Sequence, residues 1–216
     1  MNYKEHLYKN ALKTIEYIYT DSKYNPNTDL YRSFDIINSV NEAQLSSKEW
    51  LVENLLPFLN DYELRDIIIM GSWYGITGMI LKNHLDKDIK IHNVDIDPLC
   101  EEYSHKLMDG NKQYEKNWPI TDDAVNYFLD KKNTFQLIIN TSCEHMEPED
   151  VRLILNSKPI ETLICFQSNN YHEEPEHINT HDSLDSFVES LDLVRVYYKG
   201  EMSPSEEYTR YMVIGI

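Results

Sequence analysis

Ile67-Ile68-Ile69-Met70-Gly71-Ser72-Trp73-Tyr74-Gly75-Ile76-Thr77-Gly78 is the stretch that decides the fold. Four apolar residues in a row read as a buried strand. The glycines after them read as a sharp turn opening a helix, since a residue without Cβ lets the backbone reverse and lets a ligand come close. Roughly twenty residues further on stands Ile91-His92-Asn93-Val94-Asp95-Ile96-Asp97-Pro98, a second strand that ends on a carboxylate. At that distance from a glycine turn an acidic group can accept two hydrogen bonds from the ribose hydroxyls of a nucleoside. Taken alone, the first motif also fits a tight turn with no ligand. Asp97 also fits a cap on the helix that starts near Pro98, a reading less natural for Asp95.

Outward from this pair, short apolar strands alternate with helical stretches. A helix-like segment covers Thr77 to Leu85, a strand Ile89 to Val94, a helix Leu99 to Leu107, and further strands Phe135 to Ile139 and Leu163 to Phe166. Parallel strands need crossover connections that travel back over a face of the sheet, so this alternation predicts an α/β fold. Leu193 to Tyr198 and Tyr208 to Ile216 are rich in β-branched and aromatic residues and flank a turn region, which predicts a terminal antiparallel hairpin. Upstream, residues 1 to about 20 carry an apolar helical stripe and Asp21 to Asp29 is a loop of turn formers. A second helix is expected to start at Ser46 or Ser47, with Glu49 in a capping arrangement and Pro57 near its end. The expected organisation is a helical extension over 1–62 followed by one domain over 63–216.

The 216 residues suffice for one α/β domain with a sizeable core. No stretch approaches the roughly 20 apolar residues of a membrane span, and the N-terminus has no apolar signal centre, so a cytoplasmic protein is expected. Cys100, Cys143 and Cys165 are far apart, without CxxC spacing, and predict neither a disulfide framework nor a zinc knuckle. A net charge of −17 opposes a nucleic-acid backbone, which is bound through Lys and Arg that displace counterions. A small molecule or a protein fits that charge better than naked nucleic acid.

On these motifs the sequence over roughly 63–216 resembles the class I S-adenosylmethionine-dependent methyltransferase family. Gly71 and Gly75 match the first and third glycines of that family's GxGxG turn, and Trp73 stands where the middle glycine is usual. Val94-Asp95-Ile96-Asp97-Pro98 matches its second motif, with Asp95 in the ribose-binding place. The resemblance implies a Rossmann-like, mostly parallel seven-stranded sheet ending in an antiparallel hairpin, with S-adenosylmethionine as cofactor. It also implies cofactor contacts from Gly71, Ser72, Trp73, Tyr74, Gly75, Asp95, Ile96 and Asp97, the turn lining the methionine moiety and Ile96 the adenine. A NAD-dependent dehydrogenase fits less well, because the turn lacks GxGxxG spacing and no second catalytic domain follows.

Ligands of open α/β sheets sit beyond the carboxyl ends of the strands. The densest polar run there is Asn140-Thr141-Ser142-Cys143-Glu144-His145. A Glu-His pair in this place resembles small-molecule methyltransferases. His145 is the candidate base, Glu144 the candidate orienting or substrate-binding group, and Asn140 completes the expected catalytic set. The competing reading is that Glu144 and His145 cap the next helix, near Glu147 to Leu155. Cys143 as a covalent nucleophile lacks a Pro-Cys context. After the next strand, Gln167, Asn169 and Tyr171 are candidate substrate contacts. Three histidines and three glutamates in the same loop, up to His181, have spacing that fits no metal motif, so no metal ligand is expected. The leading expectation is a methyltransferase for a small-molecule or protein acceptor. Aminocarboxypropyl transfer, cofactor cleavage or a non-catalytic scaffold are its alternatives.

Overall fold

Successive side chains of a strand point to opposite faces of a sheet, so three consecutive isoleucines must be buried from both sides. The structure, a computed structural model describing residues 2–216, does this throughout its centre. In β1 (Asp66–Met70), Ile67 and Ile69 face one apolar layer while Ile68 and Met70 face the other. The same alternation runs through β4 (Leu137–Asn140), β5 (Leu163–Asn169) and β7 (Arg210–Gly215). With β2 (Lys90–Asp95), β3 (Asn117–Thr121) and β6 (Val196–Met202) they form one seven-stranded sheet in the order β3-β2-β1-β4-β5-β7-β6. β7 runs antiparallel to both of its neighbours, and the other pairings are parallel.

One face carries α1 (Tyr3–Asp21), α2 (Arg32–Ser39), α3 (Glu42–Leu59), α4 (Ile76–Lys82) and α5 (Pro98–Met108). The other carries α6 (Ala124–Lys131), α7 (Pro148–Ser157) and α8 (Leu184–Leu191). Leu7, Ile18, Ile36, Leu51 and Leu55 share one continuous apolar cluster with Ile67 and Ile69, so the three N-terminal helices are built into the layer on that face. The buried Asn10 amide fixes α1 on α5 by donating to the carbonyls of Leu107 and Asp109, both at 2.9 Å. Among the described residues no helix is long and apolar enough to cross a membrane.

Three local expectations are corrected. The helix expected from Ser46 or Ser47 starts at Glu42, because Asn41 is the cap and its side chain accepts from the Gln44 amide at 2.8 Å. The serines sit inside the helix, with Ser46 bonded back to the Ala43 carbonyl. β3 escaped the apolar pattern because it contains Pro119 and lies at the sheet edge, where a residue without an N–H breaks no interior ladder. The first hairpin strand begins later and runs on through Lys199-Gly200-Glu201-Met202, since an edge strand exposed along one side carries little apolar signal.

Candidate active site

The turn after β1 is held by its backbone. The Ser72 amide donates to the Val94 carbonyl at 3.0 Å and the Gly75 amide to the Ser72 carbonyl at 2.9 Å. Gly71, Trp73 and Gly75 all have left-handed backbone, with φ of +56°, +50° and +69°. A Cβ on Gly71 would lie 2.9 Å from Ser142 Oγ, the hydroxyl that donates to the Gly71 carbonyl, so the loops after β1 and β4 touch at this glycine. Trp73 takes a conformation that costs a side-chain-bearing residue about 1–2 kcal/mol. Against that cost, its N–H donates to Asp95 Oδ2 at 2.7 Å, and its ring stacks on Tyr74 at 5.1 Å between centroids. Gly78 serves packing: a Cβ there would come within 2.4 Å of Asn93 Oδ1, on the strand beneath α4.

Asp95 ends β2 beside this turn. Its second oxygen accepts from the Asp97 amide at 3.1 Å, and a carboxylate offers about four acceptor positions. Two are therefore free for hydroxyl donors. Ile96, next in sequence, is 73% exposed and presents an apolar surface beside the carboxylate. Gly71, Ser72, Trp73, Gly75, Asp95 and Ile96 thus come together. Tyr74 and Asp97 are otherwise engaged. Tyr74 is fully buried between Trp73 and Tyr103, and burial pushes its hydroxyl above the ordinary tyrosine range. Asp97 caps α5 by accepting from the Leu99 amide at 2.9 Å and is ion-paired with Arg32 of α2.

At the carboxyl ends of β4 and β5 a second polar group assembles. Glu144 is 2% exposed, and its Oε1 accepts from Asn169 Nδ2 at 2.8 Å and Arg210 Nη2 at 3.2 Å. Arg210 also donates to the Thr141 carbonyl at 3.0 Å. Glu144 Oε2, Arg210 Nε and Gln167 Oε1 are buried without a protein partner. The Glu144 carbonyl accepts from the Ile178 and Asn179 amides at 2.8 and 3.0 Å, which ties the loop after β5 to the loop after β4. Lys48 of α3 is half-buried, donates to Gln44 Oε1 at 2.6 Å and lies in the field of Arg210 and Glu144. Burial, with the Arg210 charge adding to it, brings its ammonium down to about 7.

The remaining sequence candidates divide. His145 is exposed and meets His177 edge-on at 4.6 Å between ring centroids. Tyr171 also meets His177 edge-on, at 5.8 Å, and lies 5.9 Å from the Tyr208 ring. Asn140 is fully buried and shapes its own loop, accepting from the Ser142 amide at 2.9 Å and directing its Nδ2 to Met146 Sδ. Gln167 points its amide nitrogen at Met212 Sδ, 3.6 Å away. Cys143 is sealed in the apolar layer, where burial raises its thiol far above its ordinary range and leaves no thiolate for attack. Glu144 and His145 do not cap α7, whose first residue is Pro148 and whose N-cap Glu147 makes no side-chain bond.

Arg210, Lys48 and Arg32 were not singled out from sequence, and His177 was read there only as one of three histidines in a loop whose spacing fits no metal motif. Among those three cations Arg210 alone carried a signal, as a charge heading the apolar run Tyr211 to Ile214. A surface hollow lined by Leu64, Asp66 and Lys90 lies at the amino ends of β1 and β2, opposite the end where α/β sheets hold ligands.

No family model matches the sequence, and no curated protein matches it. The fold does have solved counterparts. The N-methyltransferase NodS from Bradyrhizobium japonicum WM9 is 10% identical with a TM-score of 0.61, covering 82% of this chain and 98% of its own. A SAM-dependent methyltransferase from Agrobacterium tumefaciens is 11% identical with a TM-score of 0.56, covering 80% of this chain, which spans 61% of that one. MtNAS, in complex with MTA and tNA, is 19% identical with a TM-score of 0.52 over 98% of this chain and 70% of its own. The strand order, the single reversed strand and these likenesses together give the chain the Rossmann-like fold of the class I S-adenosylmethionine-dependent methyltransferases.

Proposed function

We propose that the chain binds S-adenosylmethionine at the turn after β1 and transfers its methyl group to a small-molecule or protein acceptor. The observation that carries this reading is Asp95, with two acceptor positions unspent beside exposed Ile96 and the glycine turn. Ribose hydroxyls would take the free positions and adenine the Ile96 surface. Trp73, Ser72 and the two turn glycines would line the rest. When bound, the cofactor supplies an electrophilic methyl carbon on a sulfonium sulfur.

Such a displacement gains mainly from positioning, and from a base when the acceptor starts protonated. His145 has the exposed ring that could take that proton. Glu144 is held by Asn169 and Arg210, so it orients the wall of the site and does not act as a free base. The helices of residues 1–62 would cap the site and select the acceptor through Lys48 of α3, which lies in the field of Glu144 and Arg210, while Arg32 of α2 is held on Asp97. Calorimetric titration with S-adenosylmethionine, S-adenosylhomocysteine and NAD tests the cofactor assignment. Binding of NAD alone, or of none, overturns it. A metabolite extract with methyl-labelled cofactor then identifies an acceptor. With it, His145→Asn is expected to keep cofactor affinity within about 0.5 kcal/mol while turnover falls roughly 100-fold.

A second reading has an observation of its own. The likeness to MtNAS takes in 98% of this chain, N-terminal helices included, against about 80% for the two methyltransferases. That structure holds MTA, the by-product left when the aminocarboxypropyl group of the same cofactor is transferred, and this favours weighing such a transfer here. Product analysis separates the two uses: methyl transfer leaves S-adenosylhomocysteine, whereas aminocarboxypropyl transfer leaves 5′-methylthioadenosine. A non-catalytic scaffold would yield neither.

A further inference from the structure

We infer that Glu144, His145 and His177 form a binding site for a divalent first-row transition-metal ion. One carboxylate oxygen and one ring nitrogen from each histidine lie within 4.8 Å of one another. The residues come from two loops, so no sequence spacing announces the set. Two imidazoles and one carboxylate suit zinc, iron, cobalt or manganese better than magnesium or calcium, which prefer all-oxygen shells.

Two features point to a cation, and a third holds their residues together. Glu144 Oε1 is taken by Asn169 and Arg210, but Oε2 is buried with no protein partner, and an orphaned buried carboxylate oxygen is costly. His177 Nδ1 lies 2.8 Å from the Tyr171 carbonyl, which can only accept, so Nδ1 carries a proton and the neutral ring has its lone pair on Nε2. That backbone contact is the usual orienting partner of a metal-bound histidine. Finally, the Ile178 and Asn179 amides both bond to the Glu144 carbonyl, so the loop that carries His177 is fastened to the carboxylate residue itself.

Arg210 sits against the opposite oxygen of Glu144 and supplies a positive charge that opposes loading, which favours an ion held by nitrogen donors over one held by charge alone. His145 is exposed, so three protein ligands leave coordination positions open to water or to an acceptor oxygen, as in catalytic sites. A loaded ion would make His145 a ligand and would itself lower the pKa of a bound hydroxyl or water.

The test uses tag-free, chelator-treated full-length protein titrated with Co²⁺, read by its visible absorption, and with Zn²⁺ in competition. One equivalent is expected to bind. His145→Ala and His177→Ala should each weaken binding at least tenfold, while His172→Ala and His181→Ala leave it unchanged. Because Glu144→Gln removes a buried charge and can disturb folding, the histidine variants carry the decision, each checked by circular dichroism. No stoichiometric binding, or binding retained in the His145→Ala/His177→Ala double variant, overturns the site. Neither cofactor nor turnover enters the measurement, so its failure leaves the group-transfer reading standing.

Discussion

The backbone N–H of Trp73 donates to Asp95 Oδ2 at 2.7 Å, so the carboxylate that ends the second strand also holds the turn that follows the first. Asp95→Ala removes both the proposed ribose acceptor and this anchor. S-adenosylmethionine affinity should fall by about 1.5–3 kcal/mol, the range for a lost hydrogen bond to a charged group. Unchanged affinity by calorimetry in a folded variant would sink the ribose assignment.

Trp73 is held at φ +50° where glycine would be unstrained. Trp73→Gly relieves about 1–2 kcal/mol of backbone strain, but it loses an aromatic stack of about 0.5–1.5 kcal/mol and, in addition, the apolar area that the indole buries against the core. Its unfolding midpoint in urea should therefore fall below that of the parent protein by less than a Trp deletion without strain relief would cause, while cofactor binding weakens through lost contact area. A variant that binds as tightly or tighter would show the indole to be an obstruction.

The Glu144–Arg210 pair is buried on both sides, with side chains 3% and 12% exposed. Arg210→Met leaves a buried carboxylate without its counter-charge and should destabilise the fold by about 3–5 kcal/mol in denaturant titration. Adding Glu144→Gln to it should recover part of that loss. Purely additive losses would show that the two residues do not depend on each other.

Lys48 protonates at 10.5 when unfolded and at about 7 when folded, because burial and the Arg210 charge disfavour its ammonium. Between those values the unfolded chain holds more protons, so stability rises with pH, and the cost of the buried ammonium is complete below the folded value. Lys48→Met removes that cost. Its Tm advantage over the parent should be largest near about pH 6 and shrink toward about pH 10. An equal advantage at both would mean that Lys48 titrates as an ordinary surface lysine.

The sequence alone determined the sheet's centre, the glycine turn and the place of Asp95. Each is a local matter: the apolar run Ile67 to Met70 must be buried on both faces, Gly71 and Gly75 must turn left-handed, and the strand after them must end on its acid. Where burial is one-sided, as in β3 and β6 at the sheet edges, the same signal fades, and there the boundaries went astray. The polar group at the carboxyl ends of β4 and β5 was decided by tertiary structure. Glu144 and His145 were legible as a polar run after a strand, but nothing local shows that Arg210 lies 66 residues away in the chain and 3.2 Å away in space. Nor does it show that Lys48 comes from a helix in front of the sheet, or that His177 folds back onto His145. Strands and turns answer to their neighbours in sequence. A buried charge answers to whatever the fold brings against it, because in a medium that excludes water its partner must come from the protein or from a bound ion.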